Sequence, residues 1–339
     1  MSAFKEIFAQ DAAIDSLRAA VLADRLPHGL IFAGPVGVGK ATTARALARL
    51  FLCEKPKGDQ PCGTCEGCRG MAADVHPDFH LIYRQLARVE KKEAAARDLS
   101  VKVVREYLIA PANHKSVMNR GKVFLIKEAE TMSTEAQNAL LKTLEEPPGR
   151  SLLILLTSMP NVLLPTIRSR CQLLKFAALP QQVVTEQLQK RGINAVDAAD
   201  AALITEGSLG LSINWLNDGI IEAARDFAGR LDHFSPAAAA ELPDWLKKFA
   251  ESYVARQQGR DENISKDVAS REGLTIILTA AANHLRRSLA PASGDRSRLE
   301  SLCESIEAAV ATERYLDANV SVALALEQFS STLSATLVA

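Results

Sequence analysis

A short glycine-rich stretch constrains the fold of this chain more than any other part of its sequence. Residues 34–41 read GPVGVGKA, follow an apolar run at 29–33 and precede a segment with helical periodicity at 42–51. This order of buried strand, glycine loop and helix is that of a phosphate-binding loop, whose backbone N–H groups and helix N-terminus surround phosphate oxygens. The sequence therefore predicts an α/β core with a nucleotide-binding loop, in which Lys40 reaches the β- and γ-phosphates.

The loop departs from the pattern G-x-x-x-x-G-K-[ST] at its last position. Ala41 stands where a Ser or Thr hydroxyl normally binds Mg²⁺, and Thr42 points about 100° away around the helix. Two interpretations stay open: a loop that binds ATP or ADP but holds Mg²⁺ poorly, and a loop kept only as part of the fold. The candidate nucleotide-binding residues are Gly34, Gly37, Gly39, Lys40, Ala41 and Thr42.

Four cysteines follow the loop helix with the spacing C-x8-C-x2-C-x2-C, namely Cys53, Cys62, Cys65 and Cys68. The small and polar residues between them favour a tight turn that presents four thiolates to one ion, as in a closed structural zinc site. A reduced loop without metal and an iron–sulfur cluster are the alternatives, although nothing else in the sequence indicates redox work. The nearby His76 and His80 are expected to be solvated or core residues.

A second buried-strand pattern, at 122–126, ends in Lys127 and Glu128. In P-loop ATPases this strand ends in Asp-Glu; the Asp helps to hold Mg²⁺ and, in the AAA+ group, the Glu activates the attacking water. The ammonium of Lys127 would repel Mg²⁺, which leaves Glu128 as a vestigial catalytic residue. Together with Ala41, two metal-anchoring oxygens are missing, and their loss argues against efficient hydrolysis.

The bulk composition limits the classes of function. The chain has 339 residues, which predicts two or three domains, and its 40 basic and 40 acidic side chains disfavour a wholesale coating of DNA. No apolar run is long enough to span a membrane and no signal peptide is recognisable, so a cytoplasmic location is expected. The densely charged residues 84–98 are expected to form a solvated loop or exposed helix, and the polar residues 255–265 a loop.

These stretches together resemble the bacterial clamp-loader family of AAA+ proteins, relatives of eukaryotic replication factor C. The resemblance rests on His28-Gly29, the four-cysteine insert, residues 136–148 (AQNALLKTLEEPP) and Ser169-Arg170-Cys171. It implies an α/β AAA+ P-loop core with a parallel sheet, followed by a small helical lid and an all-α C-terminal collar domain. The implied ranges are 1–177 for the core with its zinc insert at 53–68, 178–240 for the lid and 241–339 for the collar, which serves oligomerisation.

Within this family, the resemblance separates ATP-hydrolysing subunits of the gamma/tau type from a subunit that does not hydrolyse ATP. Hydrolysing subunits need a hydroxyl at 41, an Asp at 127 and a lid arginine that senses the γ-phosphate, a position that aligns with Leu211 here. These three departures favour the non-hydrolysing type. A gamma/tau-type subunit with degenerate metal ligands is the alternative, and a P-loop regulator unrelated to replication is a remote third.

The resemblance gives Arg170 a role in trans, as an arginine finger that projects into the ATP site of the adjacent subunit; an ordinary surface ion pair is the alternative. The chain is then expected to show no ATPase activity alone and to act as a component of the DNA polymerase III holoenzyme. The implied partners are the gamma/tau and delta subunits in a hetero-pentameric ring, the sliding clamp and primed DNA, with no membrane.

Overall fold

The structure is a computed structural model that describes residues 2–84, 86, 98–260, 264–318 and 320–338. The loop or helix predicted at 84–98 therefore lies almost wholly outside the described residues. The chain divides into two compact units. The first runs to Val183 and includes Gly207–Gly210, and the second comprises Val184–Glu206 and the chain from Leu211 onward.

A sheet of five parallel strands forms the centre of the first unit: β1 Gly29–Ala33, β2 Phe79–Ile82, β3 Lys122–Ile126, β4 Ser151–Thr157 and β5 Gln172–Lys175. The order across the sheet is β2-β3-β4-β1-β5, so β1, the strand before the glycine loop, lies between β4 and the edge strand β5. This parallel sheet, with the loop directly after β1, confirms the predicted α/β core.

Helices alternate with these strands as the sequence predicts. They are α1 Asp11–Leu22, α2 Lys40–Phe51, α3 Glu66–Ala72, α4 Val101–Val104, α5 Ala110–Asn113, α6 Thr134–Glu145 and α7 Pro165–Arg168. A short π-helix, Arg105–Ile109, joins α4 to α5.

The central strands form because their residues are apolar on both faces. Every position of β1, β3 and β4 is buried, which is the pattern of parallel strands covered by helices on both sides. One core cluster combines Ile31, Phe124 and Leu155 of the strands with Leu140 of α6. This packing fixes the two ends of the sheet, where the candidate functional side chains lie.

The described part of the second unit is helical. Its helices are α8 Gln181–Gln189, which begins in the first unit, α9 Ala195–Ile204, α10 Leu209–Asn217, α11 Ile220–Asp232, α12 Pro236–Arg260, α13 Lys266–Leu289, α14 Arg296–Asp317 and α15 Val322–Leu337. The loop predicted at 255–265 is wrong as far as residue 260. Tyr253 and Val254 are buried and anchor α12, so that its polar end continues as a solvated helix.

The three-part division at 177 and 240 stays a prediction, and residue 240 lies within α12. Among the residues that the structure describes, no helix is both long and apolar enough to cross a membrane.

Candidate functional site

The glycine loop lies at the carboxyl end of β1 and leads directly into α2. Gly34 passes so close to the chain after β5 that a Cβ atom there would lie 2.0 Å from the carbonyl oxygen of Phe176. Gly39, with φ of 105°, is the left-handed residue from which α2 starts. Only glycine satisfies both requirements without strain, so the glycines of the motif also serve the packing of the sheet.

Lys40 is bound to its own loop. Its side chain is buried, with 8% of the residue exposed, and its Nζ donates to the carbonyl oxygens of Gly34 and Pro35. Burial lowers the pKa of Lys40 to about 8, although the charge of Glu130 acts in the opposite direction. A phosphate group that entered the loop would have to replace these two carbonyl contacts.

A distant segment of the first unit, Gly207–Gly210, packs against the same loop. The hydroxyl of Ser208 donates to the carbonyl oxygen of Val36 at 2.7 Å, and the N–H of Gly210 donates to that of Gly37 at 2.9 Å. A Cβ on Gly210 would lie 2.9 Å from the Cα of Gly37, so the two backbones are in close contact. Sequence reasoning missed these contacts; the small residues of the segment are the signal that a close backbone approach is possible.

The two positions at which P-loop ATPases bind Mg²⁺ offer no suitable oxygen here. Ala41 is half-buried at the start of α2, Thr42 is exposed, and the hydroxyl of Thr43 donates to the carbonyl of Gly39 at 2.9 Å. Lys127 follows β3 directly, as the sequence indicates. The loop is therefore surrounded by backbone groups and one ammonium, without a hydroxyl or carboxylate at either expected position.

Two glutamates follow β3, and the structure gives them different environments. Glu128 adopts a left-handed conformation with φ of 51°, and its Oε2 lies 2.9 Å from Nε of Arg84. Glu130 accepts hydrogen bonds from the hydroxyl of Ser158 at 2.6 Å and from its N–H at 3.2 Å. Burial raises the pKa of Glu130, but hydrogen bonds from Ser158, from its own backbone N–H and from Thr157 together outweigh burial and leave the pKa below its usual value. Glu130, which the sequence interpretation passed over, is the carboxylate that acts on Lys40.

Arg170 lies at the opposite end of the sheet from the glycine loop. It precedes β5, which runs parallel to β1 with Leu30 beside Gln172, so the register places Arg170 beside His28. Gly34 is six positions after His28, so the two residues lie about 20 Å apart along the strand. Arg170 therefore cannot reach a phosphate bound in its own loop.

Three of the sequence motifs meet around Arg170. The Nε2 of His28 lies 2.7 Å from the carbonyl oxygen of Leu144, and a Cβ on Gly29 would lie 3.0 Å from the Sγ of Cys171. Arg170 itself forms an ion pair with Glu145, at the end of α6. The histidine, the glycine and the end of α6 thus support the segment that presents this arginine.

The Arg170–Glu145 ion pair is partly solvated, with side-chain exposures of 35% and 48%. Arg170 also donates to the carbonyl oxygen of Thr166 at 3.1 Å. Cys171 beside it is a packing residue, since burial raises the pKa of its thiol to about 12. An exposed ion pair of this kind contributes about 0–1 kcal/mol, so the guanidinium is available to another anion.

The four predicted cysteines form one cluster. The Sγ atoms of Cys53, Cys62, Cys65 and Cys68 all lie within 4.8 Å of one another, and the Cys62–Cys68 and Cys53–Cys65 pairs are each 4.0 Å apart. Tetrahedral zinc with Zn–S bonds of about 2.3 Å requires sulfur atoms about 3.8 Å apart, close to what is found. The cluster can therefore hold one metal ion.

The surroundings of the cysteine cluster also suit a metal. Backbone N–H groups of Cys62, Cys65 and Cys68 each donate to a cluster sulfur at 3.3 Å. Hydrogen bonds from the backbone of Thr64 and Cys65 lower the pKa of Cys62 to about 6, which favours the thiolate that binds metal. Burial raises the pKa of Cys53 and raises that of Cys68 to about 12, and a bound cation would offset that effect.

A nearby cation suits the net negative charge of a divalent metal with four thiolates. Gly63 lies between two of the cysteines, and a Cβ atom added to it would lie 3.8 Å from the Nη2 of Arg49. The buried Nε of Arg49 has no hydrogen-bond partner among the described residues.

The two histidines near the cluster pack against other residues. His76 is buried and accepts a hydrogen bond from the N–H of Asp78, while His80 stacks on Phe124 at 4.8 Å. His76 is therefore a core residue, and His80 is half-buried against the core.

Comparison with known proteins places these sites in context. Residues 9–180 match the family described as "DNA polymerase III, delta subunit". The delta' subunit of DNA polymerase III from Escherichia coli K12 is 31% identical over 288 residues, which are 81% of this chain and 82% of that protein. The delta' subunit from Pseudomonas aeruginosa is 38% identical over 144 residues, 42% of this chain and 41% of that protein.

A gamma/tau subunit is also similar. That of Mycobacterium tuberculosis H37Rv is 33% identical over 210 residues, 61% of this chain and 35% of that protein. The family match at 9–180 spans the glycine loop, the cysteine cluster and Arg170 alike.

Proposed function

Because the chain belongs to the family of DNA polymerase III delta' subunits, we propose that it is a clamp-loader subunit that completes a neighbour's ATP site without hydrolysing ATP itself. One observation carries the proposal. Arg170 lies at the end of the sheet away from its own glycine loop, partly exposed and supported by His28, Gly29 and the end of α6, a position that suits service to a site on another chain.

Arginine suits this role for chemical reasons. Its planar guanidinium offers several N–H donors and stays charged, so it stabilises the γ-phosphate oxygens as charge shifts during phosphoryl transfer. In the assembled complex, Arg170 exchanges Glu145 for the phosphate of the neighbouring subunit. The exchange costs little because the ion pair it gives up is exposed.

The chain's own loop has the opposite role. Lys40 binds the loop's carbonyl oxygens, and neither Ala41 nor Lys127 supplies a metal ligand. The loop acts as an element of the fold that anchors Gly207–Gly210, and any ATP or ADP it holds is not hydrolysed. Leu211, at the position of the γ-phosphate-sensing arginine, agrees with this assignment.

The cysteine cluster holds structural zinc in this proposal. Four thiolates fill the coordination sphere of zinc, which would tie residues 53–68 into one turn and leave no open position for catalysis. Metal analysis after purification under reducing conditions is expected to find about one zinc per chain. Less than a tenth of that amount in a folded protein, or the visible absorption of an iron–sulfur cluster, would contradict it.

The partners follow from the same proposal. The gamma/tau and delta subunits form the hetero-pentameric ring with this chain, the C-terminal helices provide the collar contacts, and the assembly places the sliding clamp on primed DNA. The protein acts in the cytoplasm as part of the polymerase holoenzyme.

The test uses the complex assembled with gamma/tau and delta subunits. Arg170→Ala is expected to leave the complex intact by gel filtration and to lower ATP turnover at the neighbouring site about 10³-fold or more, so that total DNA-stimulated turnover falls by that site's share. Arg168→Ala is the matched control, since Arg168 is also exposed and contacts only Asn161, at 3.3 Å, among the described residues. Equal turnover in the wild type and Arg170→Ala complexes would refute the finger role.

The isolated chain distinguishes the alternative, a gamma/tau-type ATPase. It is expected to show no ATPase activity above background, with or without primed DNA. A robust rate that disappears in Lys40→Ala would establish the alternative instead.

A further inference from the structure

A basic cleft lies at the amino ends of β3 and β4, away from the glycine loop. Its volume is about 440 Å³, and its basic lining residues are Lys115, Arg120, Lys122 and Arg150. Among the residues that the structure describes, no Asp or Glu lines it. The whole chain carries 40 basic and 40 acidic side chains, so the excess of positive charge in the cleft is a local feature.

The loop that forms one wall of the cleft, residues 112–122, is fixed by two buried charges. The carboxylate of Asp78, which is 1% exposed, accepts hydrogen bonds from the N–H groups of Val117 and Met118, both at 2.8 Å. The ammonium of Lys122 donates to the carbonyl oxygens of Pro111 and His114. Both charged groups therefore form hydrogen bonds with backbone groups, and these bonds hold the wall in place without a ligand.

The two arginines are held in place from outside the cleft. Arg120 donates through Nη2 to the carbonyl oxygen of Cys53 at 2.9 Å, and its Nε is buried without a hydrogen-bond partner among the described residues. Arg150 donates to the carbonyl oxygen of Phe51 at 3.0 Å, and the central carbon of its guanidinium lies 3.9 Å from the centroid of the Phe51 ring. These contacts fix the guanidinium groups but do not neutralise them.

Among the described residues, no carboxylate of the cleft lining compensates this charge. Burial and the charge of Arg120 both lower the pKa of Arg150, and Asp24, outside the cleft lining, acts in the opposite direction. Lys115 is exposed at the rim. Among the described residues, neither arginine nor Lys115 forms an ion pair.

We infer that this cleft binds a chain of phosphate groups through Lys115, Arg120 and Arg150. Guanidinium groups bind phosphate oxygens in pairs, and a fixed guanidinium loses little freedom on binding. The cleft has the volume of roughly fifteen waters of about 30 Å³ each, so it accommodates several linked phosphates. Such a ligand is either the backbone of a nucleic acid or a free polyphosphate, and the two sources are separated by experiment.

The nucleic-acid source is tested with the full chain and a fluorescent single-stranded DNA, by anisotropy between about 50 and 200 mM salt. Lys115 is exposed and forms no ion pair among the described residues, so Lys115→Gln is expected to fold normally and to reduce the slope of log affinity against log salt by about 0.7. Lys175→Gln is the matched control. Lys175 is equally exposed but lies at the carboxyl end of β5, and its loss is expected to leave the slope unchanged.

The free source is tested with tripolyphosphate, followed by backbone amide NMR shifts. Shifts at 116–121 report the cleft and shifts at 34–40 report the glycine loop, so the two sites are read separately. Lys115→Glu is expected to abolish the shifts at 116–121 and to spare those at 34–40. If DNA affinity and the shifts at 116–121 are the same in the wild type, the Lys115 variants and the Lys175 control, the inference is overturned.

Discussion

The loop after β1 and the arginine before β5 lie on neighbouring parallel strands, yet they match the P-loop ATPase pattern to different extents. The loop has the glycines and Lys40 but carries Ala41 and Lys127 where that pattern has metal ligands. Arg170 has its motif intact and is partly exposed. A parallel sheet places the two at opposite ends, so the role proposed for Arg170 does not depend on the chemistry of its own loop.

The largest effect expected at the loop end is on packing. Gly34→Ala places a Cβ 2.0 Å from the carbonyl oxygen of Phe176, so we expect the free energy of unfolding to fall by about 3 kcal/mol or more in urea titrations. Gly39→Ala is the control, because its Cβ meets no atom within 4 Å and only the left-handed backbone is strained. Its expected loss is about 1–2 kcal/mol. Equal losses in the two variants would show that the loop does not anchor the sheet.

The next effect concerns the charge on Lys40. Its pKa in the folded chain is about 8, below the usual 10.5, so the unfolded chain binds more protons between these values and stability attributable to Lys40 rises with pH there. Relative to Lys40→Met, the wild type is expected to gain about 1–3 kcal/mol of unfolding free energy from pH 8 to 10.5. Lys175→Met controls for exposed lysines. A constant difference between wild type and Lys40→Met across this range would contradict the burial of a charged amine.

The smallest effect is expected at the arginine end. Glu145→Gln removes the partner of Arg170 from a solvated pair, so the unfolding free energy is expected to change by less than about 1 kcal/mol. The assembled complex should keep its DNA-stimulated ATPase, since the proposal has Arg170 exchange Glu145 for the neighbour's phosphate on assembly. A loss of activity as large as that of Arg170→Ala would show that the ion pair itself is required.

The sequence predicts the local features of both ends well. The spacing of apolar residues predicts β1, β3 and β4, and the cysteine spacing predicts the cluster of Cys53 and its three partners. These features depend on residues that are neighbours along the chain, so periodicity and motif spacing contain the information.

What the sequence does not reveal depends on distant contacts and single backbone angles. Ser208 meets Val36 across 172 positions of the chain, which no local pattern encodes. Glu128 adopts a left-handed conformation, and the carboxylate that acts on Lys40 is that of Glu130, two residues further along the chain. Likewise, the buried Tyr253 extends α12 through residues whose polarity alone favours a loop.

The most direct measurement compares both ends in one assembly. Complexes with gamma/tau and delta subunits are prepared with wild type, Lys40→Ala or Arg170→Ala, matched for composition by gel filtration, and assayed for ATP turnover with primed DNA and clamp. If hydrolysis takes place at the neighbouring site, the complex with Lys40→Ala retains wild-type ATP turnover. The complex with Arg170→Ala loses the part of the turnover that comes from the site completed by Arg170. Turnover that falls with Lys40→Ala and persists with Arg170→Ala would contradict the account.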